Sequence, residues 1–175
     1  MSDPSATAAP MSSRSSTATA VISWIIVAWT CYIFLVSLPY KFTLHPDTQH
    51  IFGTIGAWMA TFLGEGIGQA FANYGSYAVG AVELLTSIVL LIPAFAWLIH
   101  TLGGPAPARA RAFWHRAGGA MAAMVMAGAA FFHLATPLGI EVLHQGQSDG
   151  GSLFYAAVSI LIGGLVLVFL NRRGV

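Results

Sequence analysis

Three ionisable residues lie where the chain is otherwise strongly apolar, and their depths match. Glu83 lies about seven residues inside an apolar run that begins near Ser76, and His133 lies about five residues before a second run ends near Leu138. A helical rise of about 1.5 Å per residue places both at similar depths, roughly 10 and 8 Å. Lys41 follows a third run, and its long stem can reach the same level. Because ionisable groups inside a bilayer are costly, the three residues predict a polar pocket near one membrane face.

The same residues support two interpretations. Lys41 and Glu83 can form a structural ion pair that sets helix register, each charge offsetting the desolvation of the other. Together with His133 they can instead bind a ligand or a quinone headgroup. For His133 alone, a hydrogen bond between helices competes with a ligand role. The sequence has no glycine-rich phosphate loop, nucleophile motif or serine triad, so we predict a chain without its own catalytic set.

Histidines predicted on the same side of the membrane offer a second chemistry, metal binding. Imidazole suits copper, zinc or iron, and four histidines share this side: His45, His50, His133 and His144. His45 and His50 are separated by Pro46, and their spacing does not put two ligands on one helix face. A copper-like ion is therefore the alternative to quinone as the predicted cofactor.

The elements that must position these residues are membrane helices. Of the 175 residues, 57% are hydrophobic and 7% are charged, with a mean hydropathy of +0.75, whereas soluble domains carry about 25% charged residues. Water-soluble enzyme folds are therefore excluded. The formal net charge of +1 leaves no basic surface for nucleic acid. The single cysteine, Cys31, excludes an internal disulfide, a CxxC redox pair and a thiolate-ligated cluster.

Four apolar runs are each long enough to cross the roughly 30 Å hydrocarbon core of a bilayer. The predicted spans cover about residues 20–38, 76–100, 117–138 and 153–170, within a single membrane domain over 20–175. Residues 1–19, rich in Ser, Thr, Ala and Pro, are predicted to be a flexible cytoplasmic tail. Six of the seven Lys and Arg residues fall on one side. This bias predicts a bacterial-type inner membrane protein with both termini in the cytoplasm.

The connection over residues 39–75 is predicted to be helical rather than an irregular loop. Its apolar residues recur at three- and four-residue spacing, which is typical of one apolar helix face: Ile51, Phe52, Ile55, Trp58, Met59 and Phe62. Glycines on both sides of Glu65 predict a break into two short helices. The predicted fold class is therefore all-α: a four-helix transmembrane bundle with an outer amphipathic segment, interfacial or re-entrant, between its first and second helices.

Short motifs in these elements resemble the DoxX-like family of four-helix integral membrane proteins. The first span ends in Leu-Pro-Tyr-Lys-Phe at 38–42, and Gly-Ala-Val-Glu-Leu-Leu at 80–85 opens a span that ends near Pro93. The resemblance covers about residues 20–170. A Lys after the first helix and a Glu early in the second recur in that family and correspond to Lys41 and Glu83. The glycine-rich outer segment and the Ser/Thr-rich tail depart from the family pattern.

The resemblance implies a small membrane subunit associated with oxidoreductase systems, including quinone-linked oxidation of sulfur compounds. The predicted function is an accessory or anchoring subunit of a membrane redox assembly, in which Lys41, Glu83 and His133 shape an outer polar pocket facing quinone. Its predicted partners are the lipid bilayer and other membrane protein subunits, and not nucleic acid. Two alternatives stay open: a membrane protein that binds a copper-like ion, and a purely structural subunit or assembly factor.

Overall fold

The computed structural model of the chain describes the backbone of residues 11–172 and the side chains of residues 17–172. Two short antiparallel strands, β1 (Leu143–His144) and β2 (Gln147–Ser148), accompany five helices: α1 (Met11–Phe42), α2 (Pro46–Leu63), α3 (Glu65–Thr101), α4 (Arg111–Ala135) and α5 (Ser152–Leu170). By length and composition, α1, α3, α4 and α5 can each cross a membrane. The predicted all-α, four-helix membrane fold is confirmed, and α2 is the additional helix between the first two spans.

The bounds of the first and third predicted spans differ from those of the helices. The predicted tail falls outside the described residues over 1–10, but the chain is already helical from Met11, and α1 continues past residue 38 to Phe42. Lys41 lies in the last turn of α1, where its charge complements the helix dipole. In the third span, α4 stops at Ala135, three residues before the predicted end at 138, because Pro137 cannot continue a helix.

The largest difference from the prediction is the length of α3. The chain breaks at Gly64, which has a positive φ of 90°, as the glycines around Glu65 predicted. The second short helix does not end, however: α3 runs without interruption for 37 residues from Glu65 to Thr101. The predicted second span, 76–100, is thus only the later part of this helix. The segment joins the span because no proline or polar cluster lies between Gly66 and Ser76 to stop it.

Helix α2 packs on the first turns of α3 to form a helical hairpin. Gly56 and Gly68 bring the two backbones together so closely that a Cβ on either would lie 2.5 Å from the carbonyl oxygen of the other. Farther from the turn, Phe52 packs against Gly75. We call α2 together with residues 65–79 of α3 the α2–α3 hairpin. Its apolar side packs on the end of α4 and the chain that follows, through a cluster centred on Ile55, Leu138 and Val142.

The four spans pack around two small apolar clusters at different depths. One cluster contains Phe34, Ala122, Met126, Ala157 and Ile160, and the other contains Val27, Cys31, Leu90 and Leu167. The bundle therefore has two distinct ends. Its carboxylate end is where α1 and α4 stop, on the side of Asp47, Glu65, Glu83, Glu141 and Asp149. Its arginine end is where α4 begins and α5 stops, with Arg109, Arg111, Arg116 and Arg172.

Candidate functional site

Lys41 and Glu83 form an ion pair toward the carboxylate end of the bundle. Lys41 Nζ lies 2.8 Å from Glu83 Oε2, and the side chains are only 16% and 4% exposed. Ser37 completes the group: its hydroxyl oxygen accepts a hydrogen bond from Lys41 Nζ at 2.7 Å, and its one hydrogen is shared between Glu83 Oε2 at 3.0 Å and the Phe34 carbonyl oxygen at 2.8 Å. The predicted pairing of Lys41 with Glu83 is confirmed. The sequence analysis did not predict a role for Ser37, although Ser37 lies one helical turn before Lys41 and therefore on the same face of α1.

The local sequence explains how a lysine stem fits between two helices. Gly80 lies one turn before Glu83 on α3, and a Cβ at Gly80 would lie 3.4 Å from Lys41 Cβ and 3.3 Å from the Phe42 ring. Because Gly80 has no side chain, the Lys41 stem can pack directly on the backbone of α3. The three side chains form one hydrogen-bonded cluster between α1 and α3. This arrangement can hold α1 and α3 in register, and Lys41 Nζ keeps a third N–H that these contacts do not use.

His133 takes no part in that cluster. Its ring is buried, its Nδ1 lies 2.7 Å from the Gly139 carbonyl oxygen, and the Phe154 ring packs edge-on at 5.7 Å. Within the described part of the chain, no hydrogen bond or ion pair links His133 to Lys41 or Glu83. The equal depths inferred from the sequence say nothing about the direction in which each side chain leaves its helix. The ring instead fastens the chain that leaves α4.

The other histidines of the predicted metal set gather around the start of α2. Asp47 Oδ1 lies 2.6 Å from His144 Nδ1, and Asp47 Oδ2 lies 3.2 Å from His45 Nδ1. The His50 and His144 rings stack at 4.7 Å. These contacts tie α2 to the β1–β2 turn. Among residues 17–172, no three His, Cys, Asp or Glu side chains are grouped so that they could hold a metal ion, so the geometry gives the copper-like alternative no support.

A cleft of about 390 Å³ lies between α2 and the α4–α5 connection. It is lined by His50, Thr54, Pro137, Leu138, Gly139, Glu141 and Leu143. His50 from α2 and Glu141 from the connection supply its titratable groups, and the Glu141 carboxylate accepts a hydrogen bond from the Ser148 hydroxyl at 2.9 Å. The cleft lies at the carboxylate end of the bundle, and neither Lys41 nor Glu83 lines it.

Asp149 organises the chain that leads into α5. Its carboxylate accepts backbone hydrogen bonds from Val142 at 2.8 Å, Gly151 at 2.9 Å and Leu153 at 3.1 Å, and the Ser152 hydroxyl lies 3.4 Å away. Partial burial raises the pKa of this carboxyl, but the hydrogen bonds to its charged form outweigh burial, so the net shift of the pKa is downward.

The lowered pKa of Asp149 predicts a loss of stability in acid. A carboxyl with a lower pKa in the folded than in the unfolded chain stabilises the fold above the unfolded pKa, near 4, and this contribution disappears as pH falls through the folded pKa. We expect Asp149→Asn to lower stability at neutral pH by about 1 kcal/mol and to flatten the acid limb. Thermal unfolding in detergent between pH 3 and 7 measures both. Glu65→Gln, on an exposed carboxylate, is the control; equal pH profiles for Asp149→Asn and wild type would contradict the assignment.

Comparison with known proteins adds no relative: no family model, curated protein or solved structure matches the chain. The fold by itself defines a multi-pass helical membrane protein whose surroundings are a lipid bilayer. The resemblance to the DoxX-like family stays a prediction. So does the assignment of Lys41, Glu83 and His133 to a cofactor, although the first two lie together and the third lies apart.

Proposed function

We propose that this chain is a non-catalytic subunit of a larger membrane assembly and that the α2–α3 hairpin is its contact surface for a partner subunit. The position of the hairpin carries the proposal. Gly80 packs against Lys41 and Phe42 at the end of α1, so residues 65–79 of α3 continue beyond that end by roughly 22 Å. Helix α2 lies along this extension, so the α2–α3 hairpin extends past the end of α1.

An apolar tip is the second support for a docking role. Phe62, Leu63 and Ile67 flank Gly64 and are 57%, 48% and 51% exposed. Even at a tilt of about 40°, a helix as long as α3 covers about 42 Å along the membrane normal, more than the roughly 30 Å hydrocarbon core; we assign the excess length to the end of α3 that forms the hairpin. Apolar side chains carried beyond the hydrocarbon are stabilised when another protein surface covers them. A partner subunit is the occupant that fits.

The Lys41–Glu83 pair supports an anchoring role within this subunit. Because Lys41 and Ser37 of α1 both contact Glu83 of α3, the pair is suited to holding α1 against α3. Gly80, where α3 passes the end of α1, lies one turn from Glu83. The pair therefore stabilises the base of the hairpin. Quinone binding at Lys41 is the secondary proposal, with the N–H of Nζ that the pair leaves unused as the donor.

The kind of assembly is proposed from the family resemblance and the charges. The DoxX-like motifs at 38–42 and 80–85 favour a redox assembly, with quinone as its small-molecule partner. The cations at the arginine end favour a cytoplasmic location for that end, and hence for both termini, in a bacterial-type inner membrane.

The experiment is native mass spectrometry of the assembly extracted gently from its own membranes, with variants at the tip of the hairpin. We expect the wild-type chain, 18.4 kDa, in a larger hetero-assembly. The triple variant Phe62→Ala, Leu63→Ala, Ile67→Ala is expected to leave the assembly while its thermal unfolding in detergent changes little, because these side chains are exposed in the chain alone.

A matched triple variant on α5 controls for the loss of apolar area. Phe169, Leu165 and Ile162 are the same residue types and are similarly exposed, at 61%, 45% and 56%, but they lie on a membrane span. Their replacement by alanine is expected to leave the assembly intact. Equal behaviour of the two triple variants, or a wild-type chain found only alone or with copies of itself, would overturn the proposal. A quinone adduct that persists after Lys41→Met would exclude Lys41 as its site.

A further inference from the structure

A second buried polar cluster lies at the arginine end, where three helices meet. Arg111 Nη1 lies 3.3 Å from His115 Nδ1 and 3.4 Å from Asn171 Oδ1. Asn171 Nδ2 donates to the Ser23 hydroxyl at 3.1 Å and to the Leu167 carbonyl at 2.9 Å. The cluster thus joins α1, α4 and the residue that ends α5. Ser23 and His115 are 0% exposed and Asn171 is 2% exposed, whereas Arg111 is half-buried and reaches the surface.

The cluster contains more hydrogen-bond donors than acceptors. Arg111 has five N–H groups and is always charged, yet its contacts to His115 and Asn171 come from one nitrogen and are long. Since His115 Nδ1 faces the arginine as an acceptor, its proton lies on Nε2. That nitrogen is buried and has no hydrogen-bond partner among the described residues; Trp24 packs edge-on against the same ring at 4.6 Å. The group is built around a cation and supplies no negative charge.

No carboxylate of the described chain is at hand to neutralise Arg111. Its contacts are to an imidazole and an amide, and the ion pairs of residues 17–172 all lie toward the carboxylate end. Its neighbour in sequence Arg109 is a further cation, with its guanidinium 4.5 Å above the Phe113 ring. A half-buried guanidinium without an anion carries a desolvation cost that an external anion can offset.

We propose that Arg111, oriented by His115 and Asn171, binds a phosphate group at the arginine end of the bundle, supplied by the headgroup of an anionic phospholipid. A guanidinium matches phosphate oxygens with two parallel N–H donors. Arg111 is the first residue of a span, and the ends of membrane spans lie at the level of lipid headgroups. His115 and Asn171 are positioning residues, which hold one edge of the guanidinium and leave the rest of its donors for the phosphate. The inference is independent of the proposed partner subunit.

The test is lipid retention by the purified full-length chain, measured by native mass spectrometry after exposure to equal amounts of phosphatidylglycerol and of the uncharged, phosphate-free diacylglycerol with the same acyl chains. We expect the wild type to retain phosphatidylglycerol preferentially. Arg111→Gln is expected to lower that retention about tenfold, the size expected for one charge-assisted contact. Arg116→Gln is the matched control, because it removes an equal charge from an exposed position on the same helix, and it is expected to change retention less than twofold.

A second variant keeps the test decisive if Arg111→Gln fails to fold. Arg111→Lys preserves the charge but not the paired donors, and we expect about a threefold loss of phosphatidylglycerol. Inorganic phosphate distinguishes the two sources of the ligand: displacement of the lipid at millimolar phosphate would support a phosphate site but assign it to a soluble ligand. Equal wild-type retention of the two lipids without phosphate binding, or equal losses for Arg111→Gln and Arg116→Gln, would overturn the proposal.

Discussion

Replacing Lys41 with methionine is expected to destabilise the bundle by about 3 kcal/mol, because it leaves a buried carboxylate without its cation. Glu83 is 4% exposed, and after the substitution only the Ser37 hydroxyl of the present cluster would still contact its Oε2. In the variant, the Glu83 carboxyl either stays charged without a cation or becomes protonated, and both outcomes cost free energy. Unfolding in mixed micelles with increasing dodecyl sulfate, followed by tryptophan fluorescence, measures the loss.

The two halves of this ion pair are expected to respond unequally. Glu83→Gln leaves Lys41, whose side chain is 16% exposed, free to move its ammonium outward to the membrane surface. Its cost is therefore smaller than that of Lys41→Met. The double variant is expected to be more stable than Lys41→Met alone, since the stranded charge is gone. A cost for Lys41→Met no larger than that of the exposed-site control Glu65→Gln would contradict a buried, coupled pair.

Gly119→Leu is expected to cost at least as much, about 3 kcal/mol, by forcing α4 and α5 apart. A Cβ at Gly119 would lie 2.8 Å from the Gly164 carbonyl oxygen and 2.7 Å from Leu167 Cβ. Gly164 is equally closed, since its own Cβ would lie 2.5 Å from the Gly119 oxygen. The obstacle is backbone on both sides, which cannot rotate away as a side chain can. Close approach of this kind is how small residues stabilise helix pairs in membranes.

Gly128→Leu is the matched control for Gly119→Leu. Both glycines lie within α4, but a Cβ at Gly128 would have nothing within 4 Å. There the gain in helix propensity, about 0.5–1 kcal/mol, is the main expected effect, so stability should rise or stay unchanged. Micelle unfolding of both variants measures the difference. If both substitutions cost the same, the α4–α5 contact at Gly119 is not the cause.

Several features of the fold followed directly from the order of residues. The four spans are visible because crossing a bilayer requires long uncharged runs, and each run has a helix in the structure. The break at Gly64 followed from local glycines. The Lys41–Glu83 pair followed from depth alone, since the position of a residue along a helix axis needs only the rise per residue.

The parts of the site that the sequence did not predict depend on direction around a helix axis. His133 has the right depth for the Lys41–Glu83 pair but faces Gly139 and Phe154 instead. In the sequence, Arg111 indicates only the orientation in the membrane, and His115 only marks a membrane boundary. Their contacts with Asn171, and through it with Ser23, arise because three helices meet there. Ser23 and Asn171 are far apart in the chain, and no local sequence pattern links either of them to Arg111.

The sequence by itself determined that the solvent is a bilayer, how many helices cross it and how deep each ionisable residue lies. These properties depend on local composition and on the regular rise of a helix. Tertiary structure alone decided that α2 packs on residues 65–79 of α3 as a hairpin, that His133 lies apart from Lys41, and that Arg111 meets Asn171. The physical reason is that these outcomes depend on how helices rotate against one another, which close glycine contacts such as Gly56–Gly68 set.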